Sequence, residues 1–226
     1  MDLRRAAARD NAAWCDLVCR AHGLDTAVDP GAWVSRRRSP PAYPDAVTLR
    51  DDVTWGALAS RLDGSPGCSV KDSYATLDLS GEGFRVLFEA EWIHREPPAA
   101  TPRRWSRWAP VRTADDLEAW AVAHGGGPTF RASLLEEPTV TVLAARDEHG
   151  EVVAGVVGSR TGAVVGLSNL FSTRPDHDRV WAEAADALAL WAPGLPLVGY
   201  ERGDSLAAAR RAGFSGLGAL RVWLRG

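Results

Sequence analysis

Residues 139–172 read TVTVLAARDEHGEVVAGVVGSRTGAVVGLSNLFS, and this stretch decides the architecture. Three apolar runs, Thr139–Arg146, Val152–Arg160 and Ala163–Ser172, have strand length and are rich in β-branched residues. Asp147-Glu148-His149-Gly150 and Thr161-Gly162 separate them. Both are turn chemistries, because Asp bonds its own backbone and Gly accepts positive φ. Strands joined by connections this short must be antiparallel neighbours. The stretch therefore predicts a three-stranded meander.

The pattern extends in both directions. After the meander, Asp176 or Asp178 opens a helix in which Trp181, Ala184, Leu188 and Trp191 recur on one face, and Pro193-Gly194 stops it. Leu197–Tyr200 reads as a buried strand, Asp204–Ala212 as a helix closed by Gly213, and Ala219–Arg225 as a final strand. Before the meander, Thr113 caps a helix with Asp116 at the capping-box position. Leu117, Trp120 and Ala121 form its stripe, His124 lies in its last turn and Gly125 ends it. Glu96–Pro110, with four prolines and three arginines, reads as a linker. It divides the chain into a lobe over 1–100 and a lobe over 105–226.

The N-terminal lobe begins with a helix over Asp10–Ala21, whose Trp14, Cys15, Val18, Cys19 and His22 share a face. A loop rich in Pro, Ser and Arg, a strand at Ala46–Leu49, and a helix from Asp51 or Asp52 to Leu62 follow. Ser69–Leu79 and Phe84–Arg95 then predict a hairpin around Ser80-Gly81-Glu82-Gly83. Its expected register sets Asp78 against Arg85, Leu77 against Val86 and Lys71 against Trp92. That places Phe84, Val86, Phe88, Ala90 and Trp92 on one apolar face.

Composition narrows the function. The 226 residues are 46% hydrophobic and 24% charged with a net charge of −3, so no basic field argues for nucleic acid. No run of about 18 apolar residues predicts a membrane span. The arginines of Met1–Asp10 lead into no apolar signal region. Three cysteines cannot all pair within one chain, which predicts reduced thiols in a cytoplasm. Lys71 is the sole lysine, and the excess of Arg, Ala, Gly and Pro reads as a GC-rich bacterial genome.

From Val111 onward the order is strand, helix, meander, helix, strand, helix, strand. This order, with Ala212-Gly213-Phe214 closing a short helix, resembles the GNAT superfamily of N-acyltransferases. The resemblance implies an α/β (α+β) fold, with a mixed, largely antiparallel sheet flanked by helices, in two GNAT-like halves. It further implies that the fourth strand splays from the fifth and offers its backbone to a pantetheine arm. By position that strand end is Asn169, Leu170, Phe171 and Ser172. The family's next helix begins with a glycine-rich basic loop that cradles pyrophosphate. Here the loop reads Ser172-Thr173-Arg174-Pro175-Asp176-His177-Asp178-Arg179, with no glycine and two carboxylates. Arg174 and Arg179 are the remaining cations for a donor phosphate, and both aspartates are expected to cap the helix. The family's usual tyrosine acid is replaced by Ala209.

Other constellations invite chemistry. Tyr200 and Glu201 end a strand where α/β sheets place ligands, so Glu201 can take a proton from an amine and Tyr200 can supply one. The competing reading of Glu201 is a loop residue paired with Arg202. Cys15, Cys19 and His22 have metal-ligand spacing, but a buried helix face is the expectation and no metal is assigned. Lys71, Ser69 and His94 share one end of the expected hairpin, and Asp72, Glu89 and Glu91 form an acidic group beside Tyr74. The expected roles are a snorkelling lysine and a solvated sheet face. The sequence thus supports two functions: acyl transfer from a thioester to a small-molecule amine, or a degenerate GNAT-like binding or assembly module without CoA. Acyl-CoA and a carrier-protein thioester both stand as donors, and no resident cofactor or oligomeric state is assigned.

Overall fold

The structure, a computed structural model, describes residues 1–99 and 107–226. Residues 100–106 of the expected linker lie outside the described residues, and with them the expected start of the C-terminal lobe at 105. The chain forms two compact units: Met1–Trp92 with Leu217–Gly226, and Ile93–Gly216. The boundary thus falls inside a strand rather than in the linker, and the last ten residues belong with the N-terminal lobe. Each unit is built around a mixed, mostly antiparallel sheet flanked by helices.

The first unit opens with α1 (Leu3–Ala21). This helix starts a full two turns before Asp10, because Asp2 caps it by accepting the Arg5 N–H and the alanines that follow are strong helix formers. Trp14, Cys15, Val18 and Cys19 are buried on its inner face, as their spacing predicts. Then follow β1 (Thr26–Val28), β2 (Ala32–Ser35), β3 (Ala46–Thr48) and a short α2 (Trp55–Ala59). Thr54, not Asp51 or Asp52, precedes α2, since Asp52 is engaged by Arg50. The unit continues with β4 (Ser69–Asp72) and β5 (Phe84–Arg95), which crosses the boundary. It is completed by β11 (Ser215–Arg225), and its strands run in the order β1-β2-β3-β4-β11-β5.

The expected Ser69–Arg95 hairpin does not form. β4 pairs antiparallel with β11, so Lys71 faces Val222 and Val70 faces Trp223. Parallel pairing with β3 fills its other edge. The cause is Asp72, whose buried carboxylate accepts the N–H groups of Tyr74 (3.2 Å) and Leu77 (2.8 Å). With Ala75 at φ 53°, this turn ends β4 after four residues, and β11 rather than β4 lies beside β5. Asp78 accepts from Ser80 instead of facing Arg85. Leu77, Leu79 and Phe84 do share one apolar cluster, with Trp223 among its members, but Val86 is 41% exposed.

The second unit contains β6 (Trp108–Pro110), α3 (Ala114–His124), β7 (Val140–Arg146), β8 (Val152–Thr161) and β9 (Val164–Ser172). After these come α4 (His177–Trp191), β10 (Leu197–Glu201) and α5 (Gly203–Arg211). Its strand order is β10-β9-β8-β7-β6. The meander is as predicted, with Val142 opposite Val157 and Gly158 opposite Leu167. The capping box of α3 forms in both directions, Thr113 accepting the Asp116 N–H and donating to its carboxylate. Two glycines of β8 let helices close on opposite faces. A Cβ on Gly155 would lie 2.1 Å from Trp120 Nε1 of α3, and one on Gly158 would lie 2.4 Å from Leu188 Cδ2 of α4. The main core gathers α4 and α5 around Leu143, Val156, Val165 and Leu197. Among the described residues no helix is long and apolar enough to cross a membrane.

Candidate functional site

The site begins where β9 and β10 part. The two strands are parallel and pair only at Leu197 with Val165 and Val198 with Gly166. Gly199 comes next, and a Cβ there would sit 2.8 Å from the carbonyl oxygen of Leu167. Beyond that close approach both strands continue, β10 to Glu201 and β9 to Ser172, without further paired residues. The divergence leaves backbone on facing edges open to a ligand.

A bulge shapes the β9 side. Between the pairs Val157–Ser168 and Gly155–Phe171 the β9 strand carries one extra residue. Asn169 absorbs it at φ 53°, in the left-handed region that Asn tolerates better than most residues. The bulge turns Asn169, Leu170, Phe171 and Ser172 partly outward; all four are half-buried. Leu170 packs toward the α4 core. Phe171 joins Trp120, His124 and Phe130, with ring centroids 5.2 Å from Trp120 and 5.3 Å from His124. His124 stacks on Trp120 and its Nδ1 is buried without a hydrogen-bond partner, so burial pulls its pKa down and keeps it neutral.

On the β10 side Tyr200 and Glu201 are both half-buried. As successive strand residues they project to opposite sides. Burial raises the Glu201 carboxyl to about 7, against the smaller opposing pull of the Arg202 N–H and guanidinium. A carboxyl poised there exchanges a proton near neutral pH, which is what general-base work requires.

The loop after β9 is a different matter. Arg174 and Arg179 are close in the sequence but are held by different carboxylates. Arg174 binds Asp147 at 2.6 Å and Arg179 binds Glu183 at 2.8 Å. Arg107 reaches Glu183 at 2.9 Å and Asp176 at 3.4 Å. Arg211 makes two bonds to Asp178, at 2.6 and 2.7 Å, and holds its carboxyl below the usual range. The expectation that both aspartates cap α4 is therefore corrected. Asp176 stands at the N-cap without a side-chain cap bond and takes the Ser172 hydroxyl instead. The bare helix end still favours an anion by about 0.3–1 kcal/mol. The loop's own amides are engaged: Thr173 donates to Val153, Arg174 to Ser172 Oγ and Asp176 to the Arg174 carbonyl, while Pro175 has no N–H. Pantetheine amides fit the open strand edges, whereas a nucleotide pyrophosphate finds, apart from the bare end of α4, neither a free loop amide nor an unmatched arginine among these four.

The remaining constellations disperse. Lys71 is buried on β4 and donates to Asn11. Glu89 is held by Arg221, and Asp72, buried opposite the same arginine, is occupied by its turn. Cys15, Cys19 and Cys68 are buried and unpaired. Among the described residues no three His, Cys, Asp or Glu side chains converge as metal ligands.

No family model and no curated protein matches the sequence. Solved structures match nearly the whole chain. A GCN5-related N-acetyltransferase from Kribbella flavida superposes with a TM-score of 0.63 and 16% identity, over 97% of this chain and 95% of that one. The chain has a GNAT fold. A GNAT-family protein from Novosphingobium aromaticivorans gives 0.59 and 16% identity, over 97% of this chain and 99% of that one. A GCN5-related N-acetyltransferase-like protein from Streptococcus suis gives 0.54 and 14%, over 98% and 97%. At such identities the GNAT fold is what is shared, and chemistry must be argued from the residues.

Proposed function

We propose that this chain is an N-acyltransferase that moves an acyl group from a thioester to a small-molecule amine. The observation that carries this reading is the divergence of β9 from β10 with Glu201, poised at about 7, at its open end. The backbone around Leu170 and Phe171 pairs with the amides of the donor arm. The amine nitrogen attacks the thioester carbon, a C–N bond forms and the C–S bond breaks. The nitrogen proton passes to the Glu201 carboxylate, directly or through water. The departing thiolate takes a proton, for which Tyr200 is the nearest candidate in sequence, because Ala209 is buried and has no proton to give. The unpaired cysteines suit a cytoplasmic setting.

A second reading, a binding or assembly module that does not use CoA, draws on the saturated ion pairs at the start of α4. Thiol release from acetyl-pantetheine with a panel of primary amines decides between them. Amine-dependent release that falls by about 100-fold or more in Glu201→Gln is expected. No release with any amine, or an unchanged rate in the variant, would overturn the mechanism.

A further inference from the structure

The start of α4 carries four cations and four carboxylates matched one to another. Arg107, Arg174, Arg179 and Arg211 stand against Asp147, Asp176, Asp178 and Glu183. The group has no net charge. Trp108 Nε1 also donates to Glu183, so the carboxylate beneath the arginines is fixed by three donors. The backbone amides from Thr173 to Asp176 are spent, as described above. An adenine nucleotide that carries a pyrophosphate and a further phosphate would have to break these pairs to gain any of these four cations. A neutral pantetheine arm needs none of them, because its amides address only the strand edges.

We infer that the donor reaches the β9–β10 opening as a pantetheine thioester without a 3′-phosphoadenosine nucleotide. This rests on the acyl-transfer reading and names its donor class. Two sources share that chemistry, a small free thioester and an arm tethered to a carrier protein.

The test titrates acetyl-pantetheine, acetyl-CoA and an acetyl-loaded carrier protein separately into the full chain at low salt. Acetyl-pantetheine is expected to bind at least as tightly as acetyl-CoA, whose Kd should exceed about 1 mM. Tighter binding of the loaded carrier protein identifies the tethered source, and equal or weaker binding identifies the free one. The double variant Asp147→Asn, Asp178→Asn releases Arg174 and Arg211. It should strengthen acetyl-CoA binding by about tenfold and leave acetyl-pantetheine unchanged. Acetyl-CoA binding tenfold tighter than acetyl-pantetheine in the unaltered chain overturns the donor assignment and leaves acyl transfer standing. Binding of none of the three overturns both. If the double variant fails to fold, the comparison on the unaltered chain decides alone.

Discussion

Gly199 lies against the carbonyl oxygen of Leu167, where a Cβ would be held at 2.8 Å from that oxygen. The contact is backbone, so no side-chain rotation relieves it. Gly199→Ala should therefore push β10 from β9 at the last paired residues. A loss of about 1–3 kcal/mol is expected, as for other overpacked sites. Urea denaturation measures it, and a change below about 0.5 kcal/mol would mean that the strands have room to spare.

Glu201 makes stability depend on pH in an unusual direction. Its folded pKa of about 7 lies above the 4.5 of an unhindered glutamate, so the folded chain holds a proton that the unfolded chain has lost. Its contribution is full below about 4.5 and is lost as pH rises to about 7, then stays flat. The difference is on the order of 3 kcal/mol at most. Glu201→Gln should remove this slope and raise stability at pH 8. Parallel curves for both proteins between pH 5 and 8 would contradict it.

Cys15, Cys19 and Cys68 are all buried, and burial pushes the Cys15 thiol to about 12 and Cys68 to about 11. Thiolate is the reactive form, so the native chain should resist a disulfide reagent. All three thiols should react at once in denaturant. Rapid labelling of Cys15 or Cys19 in the native chain would show that the α1 face opens, and rapid labelling of Cys68 that the cluster around Trp223 does.

Asp72 ends β4 by accepting two N–H groups with separate oxygens. Asp72→Asn turns an amine toward one of those donors. The expected cost is about 1–3 kcal/mol, that of a buried donor left unmatched. Thermal unfolding at neutral pH measures it, and an unchanged midpoint would remove Asp72 as the organiser of this turn.

The parts of the fold that were legible rest on local chemistry. The meander carries its own turns, α3 its capping box, and α4 its repeating Trp181, Ala184 and Leu188. The hairpin failed because alternation in Phe84–Trp92 shows that a strand exists but not which strand pairs with it. The partner of β4 is β11, and Arg221 opposite Asp72 is a contact far along the chain that no local pattern announces. In the site, Glu201 was legible as a strand end, but its raised pKa depends on tertiary burial. Asn169 did leave a signal, because Asn in an apolar strand is a common place for a left-handed residue. The pairing of Arg174 with Asp147 and of Arg211 with Asp178 left none, since like spacing would equally suit free arginines facing a phosphate.

The unit Ile93–Gly216 is one continuous segment, while the other unit is split around it. During synthesis the continuous segment can collapse as soon as it emerges. Met1–Trp92 cannot, because Trp223 belongs to its apolar cluster and β11 covers an edge of β4. The residues made first must therefore wait, with β4 exposed, until the whole of Ile93–Gly216 has been translated. An open strand edge of this kind invites mispairing. Ribosome-bound chains stopped before Leu217 should be where a chaperone is needed most.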